Sequence, residues 1–293
     1  MSQCDWCPRM CGVDRSSGEL GYCGQGATLR IARAALHPFE EPPISGSRGS
    51  GTVFFCGCSL RCAFCQNRAI SRSEQTGKEI TPPELADLFL SLEAEGAHNI
   101  NLVTPTHFTG DILQALQLVK HKLSIPVVWN SSGYERVEIL QRLEGMVDIY
   151  LPDFKYASSE VAARYSAAPD YVSVAKAALT EMLRQVGAAQ TDEAGLLQKG
   201  LVVRHLVLPG NRKDSIAVLE CLAALLPVRD ILLSLMSQYT PEFAMDSPYG
   251  ELHRQVTTFE YNSVLQRAQE LGFTGFMQSK SSASPLYTPN FFS

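Results

Sequence analysis

Apolar residues recur along this chain in two alternating patterns, short continuous runs and longer stripes with helical spacing. The short runs are rich in Val, Ile, Leu and Phe, which is typical of parallel strands buried on both faces. Six of them predict strands at Thr52–Gly57, Asn99–Thr104, Pro126–Asn130, Val147–Leu151, Leu201–Leu208 and Asp230–Met236. A weaker seventh strand is predicted at Phe273–Gln278.

Helical stripes fill the intervals between these strands. Thr81 and Glu84 form the capping-box pattern of a helix start, and Gly96 fits the stop. Further helices are predicted at Asp111–His121, Arg136–Leu143, Tyr171–Val186, Ser215–Leu226 and Tyr261–Leu271. This alternation predicts an α/β fold with a parallel sheet, either a barrel or a doubly wound sheet.

The composition is that of an ordinary globular protein, with 293 residues, 45% hydrophobic and 19% charged. It argues against disorder, collagen-like repeats and coiled coils. The net charge of −5 gives no support to a nucleic-acid or membrane-surface partner. No apolar stretch reaches the ~18 residues of a transmembrane helix, and no signal segment is visible. We therefore expect a cytoplasmic protein.

Nine cysteines change this picture, because eight of them lie in the first 65 residues. Disulfides are rare in a reducing compartment, so this crowding indicates metal binding. We divide the chain into a cysteine-rich metal-binding segment over 1–36, a Pro/Gly/Ser-rich connector over 37–51 and an α/β domain over 52–293. Cys221, the remaining cysteine, lies in an apolar helical stripe and is expected in the core.

Cys58, Cys62 and Cys65 follow the first predicted strand at the spacing C-x3-C-x2-C. Three thiolates on one tight loop can hold three corners of a [4Fe–4S] cluster and leave the fourth iron open. The loop also leaves the carboxyl end of a strand, where α/β barrels carry their active sites. A zinc knuckle would need a fourth ligand, and Cys56, two residues before Cys58, would strain a tetrahedral site. Free buried cysteines are the other alternative.

This motif, with Phe64 before its last cysteine, resembles that of the radical S-adenosylmethionine (SAM) superfamily. The chain is also similar to relatives of pyruvate formate-lyase activating enzyme in three phrases, Cys7-Pro8-Arg9-Met10-Cys11-Gly12, Glu41-Pro42-Pro43-Ile44-Ser45-Gly46 and Phe64-Cys65-Gln66-Asn67. The resemblance implies a partial (β/α)6 barrel over 52–293. It also implies that SAM chelates the open iron and is cleaved by one electron to methionine and a 5′-deoxyadenosyl radical, which abstracts hydrogen from a substrate.

The same resemblance implies a flavodoxin or ferredoxin as the electron donor. It leaves the substrate open between a glycyl radical enzyme, another protein or peptide, and a small molecule. The alternative from another class is a non-catalytic iron–sulfur electron-transfer protein or a zinc-binding protein. Polar residues at the predicted strand ends argue against that alternative, because an electron carrier needs no polar set around an open iron.

Several of these strand-end residues are assigned to SAM by the resemblance. Phe64 stands where the family has an apolar residue beside adenine. Thr104, Thr106 or backbone carbonyls would replace the family's Gly-Gly-Glu contact with the SAM amino group. Asn130 and Ser131 stand where polar side chains of the activating enzymes approach SAM and a monovalent cation, although Asn in place of Asp removes a charge there.

Asp153 and Lys155 follow the fourth predicted strand and resemble the Asp-Leu-Lys signature of the activating enzymes. Side chains two residues apart on a strand project to the same side, and the resemblance implies that they meet the SAM ammonium and carboxylate, respectively. Arg204 lies inside an apolar strand and needs an acceptor, either the SAM carboxylate or a structural ion-pair partner. Gln238 stands where the activating enzymes have a histidine near the SAM ribose. His107 is expected to start a helix, and a role as a proton donor is the less favoured alternative.

Cys4, Cys7, Cys11 and Cys23 form a second set, with the spacing C-x2-C-x3-C-x11-C and glycines between them. Four cysteines with short gaps predict a closed metal site, and zinc and an auxiliary iron–sulfur cluster both fit it chemically. The spacing does not separate these two metals. A structural role is slightly favoured, and disulfides are the least favoured alternative.

Overall fold

The structure is a computed structural model that describes residues 3–72, 77–277 and 291. Its strands are β1 Arg30–His37, β2 Ser50–Phe55, β3 Lys78–Glu79, β4 Ile100–Val103, β5 Val127–Ser131, β6 Ile149–Pro152, β7 Gln190–Thr191, β8 Leu197–Leu206, β9 Leu232–Met236 and β10 Gly275–Met277. Its α-helices are α1 Pro42–Ser45, α2 Arg68–Ser71, α3 Pro82–Ala94, α4 Thr109–Val119, α5 Val137–Gln141, α6 Ser159–Ser166, α7 Tyr171–Val186, α8 Arg212–Leu225 and α9 Thr258–Glu270.

The strands form one mostly parallel sheet with the order β10-β9-β8-β6-β5-β4-β2-β1-β3. Strands β2, β4, β5, β6, β8, β9 and β10 run parallel, whereas β1 and β3 extend the sheet antiparallel at one edge. Every residue of β2, β4, β5 and β6 is buried, as the continuous apolar runs predict. Among the described strands the sheet does not close on itself. The expected α/β partial barrel is therefore confirmed.

Local sequence signals set the helix starts. The Thr81 hydroxyl accepts from the Glu84 N–H, and the Glu84 carboxylate accepts from the Thr81 N–H, which completes the predicted capping box of α3. Each such cap stabilises a helix by about 1 kcal/mol. None of the described helices is long and apolar enough to cross a membrane.

All predicted strands and helices are present with shifted ends, but β1, α6 and the short elements β3, β7, α1 and α2 were not predicted. Strand β1 carries no uniform burial pattern, since most of its residues are half-buried. It pairs antiparallel with β2, so that His37 faces Ser50. The cysteine-rich segment over 1–36 therefore includes a strand that belongs to the main sheet.

The segment 37–51, predicted to be a connector, packs against the amino ends of the strands. Its short helix α1 buries Pro43, Ile44 and Ser45. The Asn99 side chain donates to the carbonyl of Ile44 at 2.7 Å. The segment thus covers the end of the barrel opposite to the carboxyl ends of the strands. From that end, the Glu40 side chain points into the barrel.

Candidate active site

A cavity opens at the carboxyl ends of the parallel strands, where α/β barrels carry active sites. It holds about 1360 Å³ of empty space, including its open mouth. Its wall contains eleven of the residues singled out in the sequence: Cys58, Cys62, Phe64, Cys65, Thr104, Asn130, Ser131, Asp153, Lys155, Arg204 and Gln238. The fold therefore brings together motifs that are far apart in the chain.

The three cysteines of the C-x3-C-x2-C motif face this cavity, whereas Cys56 is not among the described residues of its wall. Cys56 is fully buried, and its Sγ lies only 2.5 Å from where a Cβ on Gly77 would stand. Gly77 has a φ of +90°, in the region that favours glycine. The motif thus presents three thiols to the cavity and turns the fourth away.

Cys58 and Cys62 each accept a hydrogen bond on sulfur. The Leu60 N–H donates to Sγ of Cys58 at 3.4 Å, and the Ser166 hydroxyl donates to Sγ of Cys62 at 3.0 Å. Burial raises the pKa of both thiols. Thiolates at this depth require a bound cation, and hydrogen bonds to sulfur are among the contacts that tune iron–sulfur clusters.

Three cavity-facing thiols fit a [4Fe–4S] cluster better than a single metal ion. In the part of the chain that the structure describes, no group of three or more His, Cys, Asp or Glu side chains is arranged to hold one ion. A cubane cluster spreads its ligands, because each thiolate binds a different iron atom. Structural zinc would need a fourth ligand, and Cys56 does not supply it.

Asp153, Lys155 and Arg204 form a buried ion-pair network in the cavity wall. The Asp153 carboxylate accepts from Nζ of Lys155 at 2.6 Å and from Nε of Arg204 at 3.0 Å. Burial alone would raise the pKa of Asp153, but the two cations hold it below its usual value. Burial alone would lower the pKa of Lys155, but Asp153 raises it. Both groups are therefore charged at neutral pH.

Glu40, which the sequence analysis does not single out, joins this network from the segment below the barrel. Its carboxylate lies 3.5 Å from Nη1 of Arg204 and accepts from the Asn101 amide at 3.0 Å. Arg204 also donates to Oδ1 of Asn130 at 2.5 Å. Of the two acceptors that the sequence leaves open for Arg204, the structure supplies the ion-pair partners, Asp153 and Glu40.

Thr104 and Phe64 line the cavity in different ways. Thr104 has a φ of +60°, which is unusual for a β-branched residue, and its N–H donates to the carbonyl of Asn130 at 2.9 Å. Backbone strain of this kind persists where the surroundings enforce it, and it clusters at active sites. The Phe64 side chain is buried, with its ring centre 6.3 Å from that of Tyr239.

Thr106 lies away from the cavity, so its expected contact with the SAM amino group has no support in the structure. It is buried, and its hydroxyl donates to Oε1 of Glu135 at 2.7 Å. The Trp129 indole donates to the same oxygen at 3.2 Å. His107 lies in a short 3-10 turn directly before α4, in agreement with the expected helix start.

Glu135 provides a test of this buried cluster through the pH dependence of stability. Burial raises the pKa of Glu135 from 4.5 to about 7. The folded state therefore holds the proton more tightly than the unfolded state, so this stabilisation is complete below pH 4.5 and is lost as the pH rises to about 7. We expect Glu135→Gln to remove about 3 kcal/mol of this pH dependence, measured by urea unfolding from pH 4.5 to 8.

Glu138→Gln, at an exposed position of α5, is the matched control and should leave the pH profile of wild type intact. If the Glu135→Gln variant and wild type show parallel profiles, Glu135 is ionised in the folded protein throughout this range, and the buried environment assigned to it is wrong.

The four N-terminal cysteines gather at one place. Cys4, Cys7 and Cys23 are buried, and Cys11 is partly exposed. Burial is the main reason that the pKa of Cys7 is raised to about 12, and the charges of the other three thiols add to it. A Cβ on Gly21 would lie 3.3 Å from Sγ of Cys23 and 3.5 Å from Sγ of Cys11. The set predicted from spacing is therefore assembled as one group.

Comparison with known proteins finds similarity to one family over part of the chain. Residues 52–190 match the family model described as the Radical SAM superfamily. The uncharacterized protein MJ0674 of Methanocaldococcus jannaschii is 29% identical over 282 residues, which cover 91% of this chain and 74% of the relative. A second protein of that organism, the uncharacterized protein MJ0808, is 26% identical over 110 residues, 32% of each chain.

Among solved structures, Streptococcus suis SuiB bound to the precursor peptide SuiA aligns with a TM-score of 0.51 and 12% identity. The alignment covers 76% of this chain but only 46% of the SuiB chain. At this identity the likeness supports the fold alone. The resemblance to activating enzymes stays a prediction at the level of subfamily.

Proposed function

We propose that Cys58, Cys62 and Cys65, which lie in the segment 52–190 that matches the Radical SAM superfamily model, hold a [4Fe–4S] cluster at which SAM is reductively cleaved. When bound, the cluster supplies the electron that splits SAM into methionine and a 5′-deoxyadenosyl radical, which abstracts hydrogen from a substrate. The supporting observation is that three thiols, without Cys56, face one cavity together with paired ammonium, guanidinium and carboxylate groups.

The charged network prepares the site for the amino-acid part of SAM. In this proposal Asp153 receives the SAM ammonium, and Lys155 receives its carboxylate. Both side chains are already held by hydrogen bonds, so little ordering is needed when SAM binds. Arg204 positions Asp153, since Nε donates to that carboxylate while the other two nitrogens lie against Glu40 and Asn130.

The other cavity residues keep the roles that the sequence resemblance suggests for them. Phe64 packs beside the adenine, Thr104 contacts the SAM amino group through its backbone or hydroxyl, and Gln238 hydrogen-bonds the ribose. The polar groups of Asn130 and Ser131 complete the contacts with SAM. A monovalent cation at this point is not part of the proposal, because Arg204 brings a positive charge within 2.5 Å of the Asn130 oxygen.

The substrate that we propose is a protein or peptide segment. The cavity is open to solvent at its mouth, so a segment of another chain can reach it. Phe39 lines this cavity and is 52% exposed, so an apolar contact is available to a chain that enters. Activation of a glycyl radical enzyme is one form of this chemistry. The electron donor would be a cytoplasmic flavodoxin or ferredoxin.

Anaerobic reconstitution with iron and sulfide, followed by reduction in the presence of SAM, tests the activity. Methionine and 5′-deoxyadenosine should form in equal amounts, as measured by liquid chromatography with mass spectrometry. Reconstituted protein that holds a cluster but cleaves no SAM would support the alternative, a non-catalytic electron-transfer protein. Protein that takes up zinc instead of iron at the Cys58 loop would also overturn the proposal.

A deuterium-transfer experiment tests the substrate class. Cells grown on deuterated amino acids provide a labelled protein fraction, and cells grown in D₂O provide a labelled small-molecule extract. Deuterium should enter 5′-deoxyadenosine only with the protein fraction or its proteolytic peptides. Transfer from the small-molecule extract alone would reject a protein or peptide substrate and leave SAM cleavage itself intact.

A further inference from the structure

The N-terminal thiol group, defined as Cys4, Cys7, Cys11 and Cys23, packs directly on the loop that carries the other three cysteines. A Cβ on Gly57 would lie 2.6 Å from the carbonyl oxygen of Cys23, and Gly57 is the neighbour of Cys58 in the chain. No side chain therefore separates the two segments at this point.

Two arginines tie the same segments together. Nε of Arg9, which lies between Cys7 and Cys11, donates to the carbonyl of Ser59 at 2.7 Å. Nη1 of Arg9 donates to the carbonyl of Ala167 at 2.7 Å, next to the serine that hydrogen-bonds Cys62. Arg61 of the cluster loop reaches back and donates to the carbonyl of Tyr22 at 2.7 Å. The N-terminal thiol group is thus held at the outer side of the loop.

The other side of the N-terminal thiol group approaches solvent. Cys11 is the partly exposed member, and its neighbour Met10 is 60% exposed. Leu20, on the stretch between Cys11 and Cys23, is 45% exposed. A redox centre in this position would lie between the protein surface and the loop of Cys58.

The position also argues against two other roles. None of the four thiols is among the described residues that line the cavity, so a metal there would not touch a substrate bound in it. Four cysteines also satisfy all ligand positions of a cubane cluster, so no iron stays open for SAM. The group is suited neither to anchoring substrate nor to a second cleavage site.

We infer that the N-terminal thiol group binds a [4Fe–4S] cluster that relays electrons to the cluster at Cys58, Cys62 and Cys65, an inference that rests on the proposed function. One electron from a flavodoxin or ferredoxin converts the N-terminal cluster from the 2+ to the 1+ state. The same electron then passes to the second cluster, and the first returns to 2+. No atom or proton is transferred in either step.

Iron fits these thiols better than zinc. Nη2 of Arg15 donates to Sγ of Cys23 at 3.2 Å. A charged hydrogen bond to a ligand sulfur eases reduction of an iron–sulfur cluster, but it gives a redox-inert zinc ion no comparable function.

Metal analysis of a variant without the cavity thiols tests the site alone. The triple variant Cys58→Ala, Cys62→Ala and Cys65→Ala, reconstituted with iron and sulfide, should retain about four iron atoms per chain. Wild type should hold about twice that iron content and show two distinct reduced-cluster signals by electron paramagnetic resonance. Zinc in place of iron, or one reduced cluster in wild type, would overturn the inference.

Reduction kinetics without SAM test the relay. The rate at which cluster absorbance bleaches is measured in the Cys7→Ala and Cys11→Ala double variant with two reductants. Flavodoxin hydroquinone is a protein donor, whereas titanium(III) citrate is a small molecule that needs no protein docking site. The ratio of the flavodoxin rate to the titanium rate should be at least tenfold lower in the double variant than in wild type. Cys221→Ala, which removes a remote half-buried cysteine, should leave this ratio as in wild type.

An unchanged ratio in the double variant would reject the relay even if the N-terminal cluster is present. These measurements need neither SAM nor substrate, so they separate the relay from the proposed activity. A protein with two clusters and a normal relay that cleaves no SAM would refute the proposed function alone. A protein that cleaves SAM but holds zinc at the N-terminal thiol group would refute only the relay.

Discussion

Cys62→Ala is expected to abolish SAM cleavage, with the yield of 5′-deoxyadenosine falling at least ~100-fold. Loss of a residue that hydrogen-bonds a metal ligand typically costs about 10–100-fold in metal affinity or activity, and loss of a ligand itself should cost more. Cys62 faces the cavity, accepts a hydrogen bond from Ser166 and belongs to a set of three that contains no spare ligand. Removing one thiolate leaves two, which cannot hold three corners of a cubane. The measurement is product formation by anaerobic reconstituted protein with SAM.

Cys56→Ala is the matched control, because it removes a cysteine from the same stretch of chain. The Cys56 side chain packs against Gly77 and lies outside the described cavity wall, so this variant should assemble the cluster and cleave SAM. If Cys56→Ala also loses the cluster, the fourth thiol is a ligand after all, and the open iron position is refuted. Activity retained by Cys62→Ala would refute the whole assignment of the motif.

Arg204→Met is expected to lower the free energy of unfolding by about 3–5 kcal/mol, the cost of breaking a buried ion pair by removing one partner. Methionine fills much of the same space, but it leaves Glu40 without a cation and Asp153 with Lys155 alone. The side chains of Arg204, Asp153 and Glu40 are 16%, 17% and 11% exposed, so water compensates little. Urea unfolding of the protein without cofactors measures the effect.

Arg267→Met provides the comparison, since Arg267 pairs with Glu220 and Glu270 on the surface and its loss should matter little. The double variant Arg204→Met and Glu40→Gln should recover part of the lost stability, because it removes the carboxylate that is left without a cation. A loss at Arg204 as small as that at Arg267, or no recovery in the double variant, would show that the network is not desolvated.

Much of the fold follows from patterns that are local in the sequence. Strands such as β4 and β5 are continuous apolar runs because both of their faces are buried, and α3 begins where the pair Thr81 and Glu84 can cap it. Strand β1 was not predicted because it lacks such a continuous apolar run. It lies near the edge of the sheet, and seven of its eight residues are only half-buried, which removes the apolar signal.

The candidate site was predictable where the chemistry is carried by spacing. The loop of Cys58, Cys62 and Cys65 is a single stretch of chain, and its three thiols face one cavity as expected. Glu40 was not predictable in the same way, because its partner Arg204 is 164 positions away in the chain. The only local signal was an acidic pair, Glu40 and Glu41, in a segment otherwise rich in Pro, Gly and Ser.

Thr106 is a residue whose position the sequence did not decide. It follows a strand end within two residues of Thr104, and no local pattern separates the two. The backbone at Thr104 adopts a positive φ, after which Thr106 lies in the core and hydrogen-bonds Glu135. Thr104 lines the cavity and Thr106 is buried beside Glu135, and this difference has no counterpart in the local sequence pattern.

By itself, the sequence determined the parallel strands, the longer helices and the grouping of the cysteines, because capping, burial period and cysteine spacing are properties of neighbouring residues. The tertiary structure decided that Cys56 turns away, that Arg204 is paired within its own chain and that the N-terminal thiol group packs on the cluster loop. These outcomes depend on contacts between residues dozens to more than a hundred positions apart. Such contacts arise only when the sheet and its covering segments pack, so they leave no periodic trace in the chain.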